Sequence, residues 1–578
     1  MARDDNKTVL EGQAAIDLWR KGPDVWNTWV DENPIADVDF HCVDFTMYSA
    51  VSFEHYKFPI GVVDFSYSRF GKGDISFHSV QFDEGKVDFS NTNFEDGNVD
   101  FSHSHFGKGN VDFYGARFGE GNVYFLCVNF GEGNTDFSKA RFGKGDLDFY
   151  HAQFGNGDVT FSATHFNDGT VDFSGVHFER GDVSFNGTQF GEGDIFFCDS
   201  KFGEGYVDYC GVQFGKGIVD FSGVQFGNGY VNFSHTKFGQ GNVDFSSALF
   251  GKGHVDFYGA QFAEGDVSFY NVQFGDGDVN FSDTQYGVGN VYFRYTLFGK
   301  GVVNFSAINT SGQFHFSDVR GATLIKSLSF KFTTFDGPVS LDNNNFDCIP
   351  DFTNTKLSHQ LSLSHFIVKP KMISKGKILS KLMLRVQKVW FGSQFTYSRK
   401  KRTLKLSKKL PWLCKVAAAD KQDIDRIRRL KELAETNKHH KLALDLHVEE
   451  MKCSRWIETT SKRALFVEFL FDKFGDYGRS IQRPFTGLAM IGALCSPIYY
   501  FSRTEEAATI TDALYYSFAQ MLHLIPSSRA SRTEFVSRLF ESTDKIPDHV
   551  FLLSWFQSLT SIALVFLIGL ALRNRFRI

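Results

Sequence analysis

The sequence lacks the usual marks of chemistry. It has no CxxC pair, no P-loop, no HExxH, no dinucleotide-binding glycine pattern and no Ser/His/Asp constellation. No catalytic residue, cofactor site or metal site is therefore nominated, and the chain is not expected to be an enzyme. Its eight cysteines (Cys42, Cys127, Cys198, Cys210, Cys348, Cys414, Cys453 and Cys495) are scattered without paired spacing. They are expected to be reduced thiols in a cytosolic setting rather than a disulfide or zinc framework. The opening MARDDNKTVLEGQ has no apolar run, so no signal peptide is expected. Acidic residues are missing altogether between 366 and 415, where fifteen Lys and Arg stand. Because the whole chain has a net charge of only −6, the remainder carries −21. Proline is scarce, at 11 residues against 67 Phe and 54 Gly in 578, which points to periodic architecture rather than disorder. At this length more than one structural unit is expected.

What is present is a repeat. From Phe53 to Phe305 an aromatic recurs every twelve residues, and all 22 positions are Phe except Tyr209. A second register runs from Phe58 to Phe298, with Tyr286 as the single departure from Phe in 21 positions. Pairs such as Phe65 and Phe70, Phe101 and Phe106, Phe113 and Phe118, or Phe221 and Phe226 are thus five apart, and the next step is seven. The unit VDFSGVQFGKGN, matched from Val219 to Gly227, places Val and Phe on one face of an extended segment and Asp and Ser on the other. Its second half repeats the arrangement, with a small or β-branched residue two before each Phe (Ala116, Val128, Ala140, Ala152, Val212). The closing G-x-G (Gly107–Gly109, Gly119–Gly121, Gly251–Gly253) is expected to supply positive φ at a corner. No unit can bury its own Phe pair, so equivalent residues of successive coils must stack into a core ladder. The Asp column (Asp88, Asp100, Asp112, Asp136, Asp148, Asp172) is expected on a solvated face, its side chains capping local backbone.

The pattern V/A-D/N/Q-F-S/x-x resembles the pentapeptide-repeat family. The resemblance implies a right-handed quadrilateral β-helix, an all-β solenoid with the third residue of each pentapeptide pointing inward. It covers about half the chain. Two extra residues after each pentapeptide pair depart from the family's strict period, and two accommodations are open: a four-sided coil made of two repeat units with widened corners, or a flatter coil made of one. The unit G-x-G-N/D-V-D is also similar to a calcium-binding nonapeptide, but the period of twelve and the lysines between the glycines (Lys108, Lys144, Lys216, Lys252) argue against calcium. Before the repeat, Ile16, Leu18, Trp19, Trp26 and Trp29 have helical spacing around turn signals at Gly22-Pro23 and Asn33-Pro34, which predicts a helical cap. After Phe305 the period slips (Phe314, Phe316, Phe330, Phe335) and decayed coils continue to about Leu363.

In the polybasic stretch, Lys377 to Trp390 can form an amphipathic helix whose Lys377, Lys381, Arg385 and Lys388 would face anionic membrane lipid. A solvated linker that balances the acidic solenoid is the plainer reading, and no nucleic-acid motif is present. Two helices are predicted between Ala417 and Arg455, with a break at Asn437.

Two segments are long and uncharged: Pro484–Phe501, and the 23 residues Val550–Leu572. Each can cross a bilayer as a helix, the first shortened by Pro497. Arg479 and Arg483 precede the first and Arg573, Arg575 and Arg577 follow the second, so the positive-inside rule predicts cytoplasmic termini and a cytoplasmic solenoid. Between them, TITDALYYSFAQMLHLIP resembles the pore helix of two-span, potassium-channel-like proteins, with Asp512, Tyr515, Ser517, Gln520 and His523 as the pore-like residues. That family's filter, T-V-G-Y-G, is absent, and His523, Leu524, Ile525, Pro526 and Ser527 stand in its place. On the second span, Ser554, Gln557, Ser558, Thr560 and Ser561 either contact another helix or line a water path.

The chain therefore divides into a helical cap (1–35), a solenoid (36–365), a polybasic linker (366–415), a helical hairpin linker (416–475) and a membrane domain (476–578). The last has spans near 484–502 and 550–572 and the pore-helix-like segment 509–526. A solenoid joined to a filterless tail looks like a recurring type of bacterial membrane protein. The leading expectation is a scaffold at the inner membrane that binds an as yet unknown protein partner and anionic lipids, with a homo-oligomer possible through the membrane domain. A channel gated by the solenoid, and an acidic DNA mimic acting on a topoisomerase, are the rival readings; binding to nucleic acid itself is not expected.

Overall fold

The computed structural model describes residues 7–374, 416–522 and 525–576, which form two compact units, the first ending at Lys369 and the second running from Pro370. The predicted lipid-facing residues Lys377, Lys381, Arg385 and Lys388, together with His523, lie outside the described residues.

The first unit is a β-solenoid of about 15 stacked turns. Register settles the coil length. Val63 pairs with Val87, and Ile75 with Val99, each in parallel and each two repeat units further along the chain. Within one such coil four short strands follow one another, for example Val63–Asp64, Arg69–Phe70, Ile75–Ser76 and Gln81–Phe82. Each belongs to its own column, and two of the columns extend through 14 strands. The coil is four-sided because the chain turns after each short strand: Phe70 and Phe82 end their strands, Phe65 and Phe77 directly follow theirs, and the turn comes after each aromatic. A coil of a single repeat unit would have had only two corners.

Backbone amides point along the stack. Phe113 N–H donates to Asp136 O at 2.6 Å and Phe65 N–H to Asp88 O at 2.7 Å, so each coil hydrogen-bonds the next. Inside, Phe65, Phe101, Phe106, Phe113 and Phe221 are fully enclosed, as are Phe70, Phe118 and Phe226 to within a few per cent. Coil-to-coil pairs lie nearly parallel, as Phe65–Phe89 does at 4.8 Å and 4°. Pairs across the coil meet edge-to-face, as Phe65–Phe77 does at 5.6 Å and 88°. The 4.8 Å step is the strand spacing, wider than two rings in direct contact, so the rings tilt and offset, which is the geometry that aromatic quadrupoles favour.

The small position two before each second-register Phe is buried. Where it is polar, its hydroxyl donates to a carbonyl of the preceding coil: Thr92 to Phe65 O at 2.8 Å, Ser104 to Phe77 O at 2.6 Å, Thr164 to Phe137 O at 2.7 Å. Tyr209 has no such outlet. Its ring sits in the ladder fully buried, and its hydroxyl has no partner. Tyr209→Phe is therefore expected to raise solenoid stability by about 1–3 kcal/mol, read as a higher urea midpoint with an unchanged slope; a lower midpoint would refute the account.

The glycines act differently from expectation. Positive φ falls two residues after each first-register aromatic, at His103 (59°), Lys139 (59°) and Gly115 (66°) among others, not at the corners formed by Gly251 and Gly253. Those two have ordinary φ; glycine is needed there because a Cβ on Gly253 would lie 1.8 Å from the carbonyl oxygen of Gly229 in the preceding coil. Close approach of backbones, not a left-handed turn, selects glycine at these corners.

The ladder also starts earlier and ends later than the strict period. Phe40 stacks on Phe65 at 4.8 Å and Phe45 on Phe70 at 4.8 Å, each pair one residue further apart in sequence than two repeat units. Phe330 stacks on Phe305 at 5.2 Å and Phe352 on Phe330 at 4.9 Å. The irregular spacing is absorbed at the corners. At the amino end, strand Val9–Glu11 joins the sheet before helices α1 (Gly12–Trp19) and α2 (Pro23–Glu32). Trp26 stacks on Phe40 and donates its indole N–H to Lys57 O at 2.7 Å, and Trp19 stacks on Phe53. The two helices thus cover the end of the aromatic column.

The second unit is helical: α3 (Asp423–Thr436), α4 (His440–Ser454), α5 (Lys462–Gly475), α6 (Gln482–Phe501), α7 (Ile510–Met521), α8 (Pro526–Phe540) and α9 (Asp548–Arg575). α6 and α9 are long and apolar enough to cross a membrane. α6 runs on through Pro497 to Phe501, so the proline does not shorten it. α8 has no counterpart among the elements expected from sequence; it begins at Pro526, a favoured first helical position.

Candidate binding surface and membrane-helix unit

The four sides of the coil carry different chemistry. On one long column the outward residues in register are Asp64, Asp88, Asp112, Asp136, Thr160 and Ser184. The opposite long column presents Asp100, Tyr124, Asp148 and Asp172. The two intervening sides present amides and cations: Arg69 and Asn93 in one stack, Gln81 and His105 in the other, with Arg117, Arg141, Gln153 and Lys201 further along. Sequence reading found the Asp columns and missed these. Their signal was available, since each is the residue immediately before a second-register Phe.

The Asp side chains cap local backbone as expected. Asp88 accepts from Ser90 N at 2.8 Å, Asp136 from Ser138 N at 2.7 Å and Asp148 from Tyr150 N at 2.7 Å. Stacking like charges one strand apart is costly, and the column relieves the cost in two ways. Thr160 and Ser184 interrupt it, and Lys86 reaches both Asp88 (2.7 Å) and Asp112 (3.6 Å). Burial works against ionisation of Asp88, but hydrogen bonds from Lys86 and Ser90 hold its pKa below the usual carboxylate value. Asp112 goes the other way, raised by burial and by its neighbours Asp88 and Asp136. Asp148 is likewise raised, by burial and then by Asp172. A raised native pKa means the folded state holds the proton more tightly, so this group weakens the fold as pH rises through that interval. Asp148→Asn, which keeps the acceptor for Tyr150 N–H, is expected to raise the melting temperature at pH 7. The gain should disappear below the ordinary Asp pKa of 3.8; a pH-independent gain would show that charge is not the cause.

A shallow groove of about 590 Å³ runs along the first acidic side, bordered by Lys86, Asp112, Asp136, Asp158, Asp182 and Tyr206. Lysines between the glycines bind the preceding coil: Lys108 pairs with Glu84, Lys216 with Glu192 at 2.6 Å and Lys300 with Asp276 at 2.7 Å. Among the described residues no group of His, Cys, Asp and Glu is arranged to hold a metal ion.

In the helical unit the pore-like residues separate. Asp512 closes a capping box with Thr509 at the start of α7 and pairs with Arg538 at 3.4 Å. Tyr515 is exposed and stacks on Phe535 of α8 at 5.4 Å. Ser517 and Gln520 are buried. There Gln557 of α9 donates to Ser517 Oγ at 2.7 Å, Tyr499 of α6 donates to Gln557 at 2.6 Å, and Ser517 donates to Gly492 O at 3.0 Å. Ser558 donates to Gln520 O at 3.2 Å. Of the α9 polar residues, Gln557 and Ser558 are thus committed to helix–helix contact, whereas Ser554 and Thr560 donate to carbonyls of their own helix and the buried Ser561 hydroxyl has no partner among the described residues. Of the residues that stand where the channel-like resemblance calls for a filter, His523 and Leu524 lie outside the described residues, Ile525 caps α8 and Pro526 begins it.

Sequence reading also missed Arg455. It is buried at the end of α4, donates to Glu468 at 2.6 Å and Asp472 at 3.2 Å, and bonds the Tyr477 hydroxyl. Desolvation of the phenol raises the Tyr477 pKa far above its ordinary value, so it stays a neutral donor to Glu468 (2.9 Å). No local pattern announces such a cluster, because its members meet only when α4, α5 and the turn after α5 pack.

Comparison of the chain with protein-family models, curated proteins and solved structures finds no match. Fold and function accordingly rest on the residues and geometry above.

Proposed function

We propose that this chain is a membrane-tethered binding scaffold, whose pentapeptide-repeat-type solenoid presents its side-chain columns to a protein partner on the cytoplasmic side of a bacterial inner membrane. The observation that carries the reading is the register of the outward columns. Carboxylates recur on two opposite sides and amides and cations on the two between, stacked coil upon coil. Repetition of this kind makes an extended surface, whereas catalysis needs a unique constellation. Two helices of membrane-crossing length and composition support the tether, and a helix begins where a channel of the two-span type would carry its carbonyl-lined filter.

The test is photocrosslinking of the full chain in native membranes from outward positions on each of the four sides, Asp220 and Gln225 among them. A discrete heavier adduct is expected from at least one side; none from any of the four would end the proposal. Sidedness is tested through Cys42 and Cys127, which are exposed on the solenoid. An impermeant maleimide should label them only in inside-out vesicles. The channel reading draws on the order span, short helix, span, and a planar bilayer separates the two: the scaffold reading expects no current above background.

A further inference from the structure

We propose that a cleft of about 370 Å³ in the helical unit, formed by α3, α4, α5 and the last turns of α9, binds the phosphate group of a membrane phospholipid. Three observations converge on it. The first is position. Arg573 is the first charged residue after the uncharged run Val550–Leu572, so on the membrane reading of α9 the cleft opens at the level of lipid headgroups. The second is the make-up of its walls. Leu444, Phe471 and Leu570 supply apolar surface, Leu570 from the spanning helix itself, while Lys431, His440 and Arg573 supply cationic or protonatable groups. A phospholipid has the same two parts, a charged phosphate joined to a hydrocarbon stem.

The third is charge. Among the described residues that line the cleft, Glu435 is the only carboxylate. Arg573 is exposed and has no ion-pair partner among the described residues. Lys431 contacts Glu450 at 2.6 Å, but that carboxylate is also held by Arg428 at 3.0 Å and approached by His447 at 3.7 Å. Its pKa falls to about 2, first through the His447 contact and then through Lys431 and Arg428, and Arg428 is itself engaged by Glu458 at 2.6 Å, which leaves Arg573 as the lining cation without a carboxylate partner among the described residues. The wall is also fixed in place. Asn574 donates to Gly478 O at 3.1 Å and Arg479 pairs with Asp445 of α4 at 2.6 Å, which together tie the end of α9 to the α3–α4 hairpin. Basic pockets at the ends of membrane helices are suited to phosphate headgroups, and an arginine fork matches phosphate oxygens.

The proposal depends on the membrane reading only for the source of the phosphate, and the experiment separates the two. Purified full-length protein in detergent is probed by native mass spectrometry with phosphatidylglycerol and, separately, with inorganic phosphate. High ionic strength suppresses the diffuse attraction of the polybasic segment. One retained phosphatidylglycerol per chain is expected. Arg573→Gln should weaken retention about fivefold, and His440→Gln should also weaken it. Arg575→Gln, on the same helix but outside the cleft, should leave it unchanged. Retention of inorganic phosphate with the same dependence on Arg573 would keep the phosphate site and overturn the lipid as its source. Equal retention in Arg573→Gln and Arg575→Gln, or no adduct with either probe, would overturn the site itself.

Discussion

Phe161→Ala is expected to cost the solenoid about 3–5 kcal/mol. Phe161 is fully buried, stacks on Phe137 and Phe185 at 4.9 Å each, and meets Phe149 and Phe173 edge-on at 5.7 and 5.4 Å. The cost should fall at the upper end, because the hole cannot collapse: the coils on either side are held at strand spacing by their own backbone bonds. The loss should also be local. Each coil touches only its neighbours, so stability is close to a sum of nearest-neighbour terms. Hydrogen exchange should therefore accelerate most in the coils that hold Phe137, Phe161 and Phe185, and least near the two ends. A cost below about 1.5 kcal/mol, or protection lost evenly along the stack, would mean the rings do not form one dry column.

The second large effect concerns glycine. Gly253→Ala is expected to destabilise the fold by about 3 kcal/mol or more, since the new Cβ would lie 1.8 Å from Gly229 O and 2.5 Å from its carbon. Both are backbone atoms and cannot swing away. Gly211→Asn provides the comparison. Gly211 has φ of +68° and open space around its missing Cβ. The equivalent position one coil on is His235, at φ 57°, and Asn tolerates that region well, so a cost of about 1 kcal/mol or less is expected. Urea denaturation of the two variants decides the matter. If Gly211→Asn proves the more damaging, conformational freedom and not close approach is what selects glycine in this repeat.

Much of the solenoid was legible because its signal is local and repeated. The alternation of Val, Asp and Phe states which side chains face in, and the five-and-seven spacing states that a corner follows each Phe. The role of the Asp carboxylates followed as well, since an acceptor two residues before a free N–H needs no distant partner. The helical hairpin was legible for the same reason: Ile424, Ile427, Leu430 and Leu433 lie on one helical face, and all four are buried.

The rest depended on residues far apart in the chain. Whether one coil takes one repeat unit or two cannot be read from the repeat itself, because both choices align identical units; the pairing of Val63 with Val87 rather than Ile75 decides it. The work of the G-x-G glycines is hidden from local reasoning because their neighbours lie one coil away and not along the chain. Ser517 and Gln520 resemble pore residues in sequence, yet the packing of α6, α7 and α9 brings Ser517 to Gln557 and Gln520 to Ser558. Sequence alone determined that aromatic rings must stack and that two segments prefer a non-aqueous surrounding, since both follow from composition at fixed spacing. Tertiary structure decided the coil length, the reason for glycine, and which polar groups satisfy one another, because those depend on distances between backbones that the chain brings together only when folded.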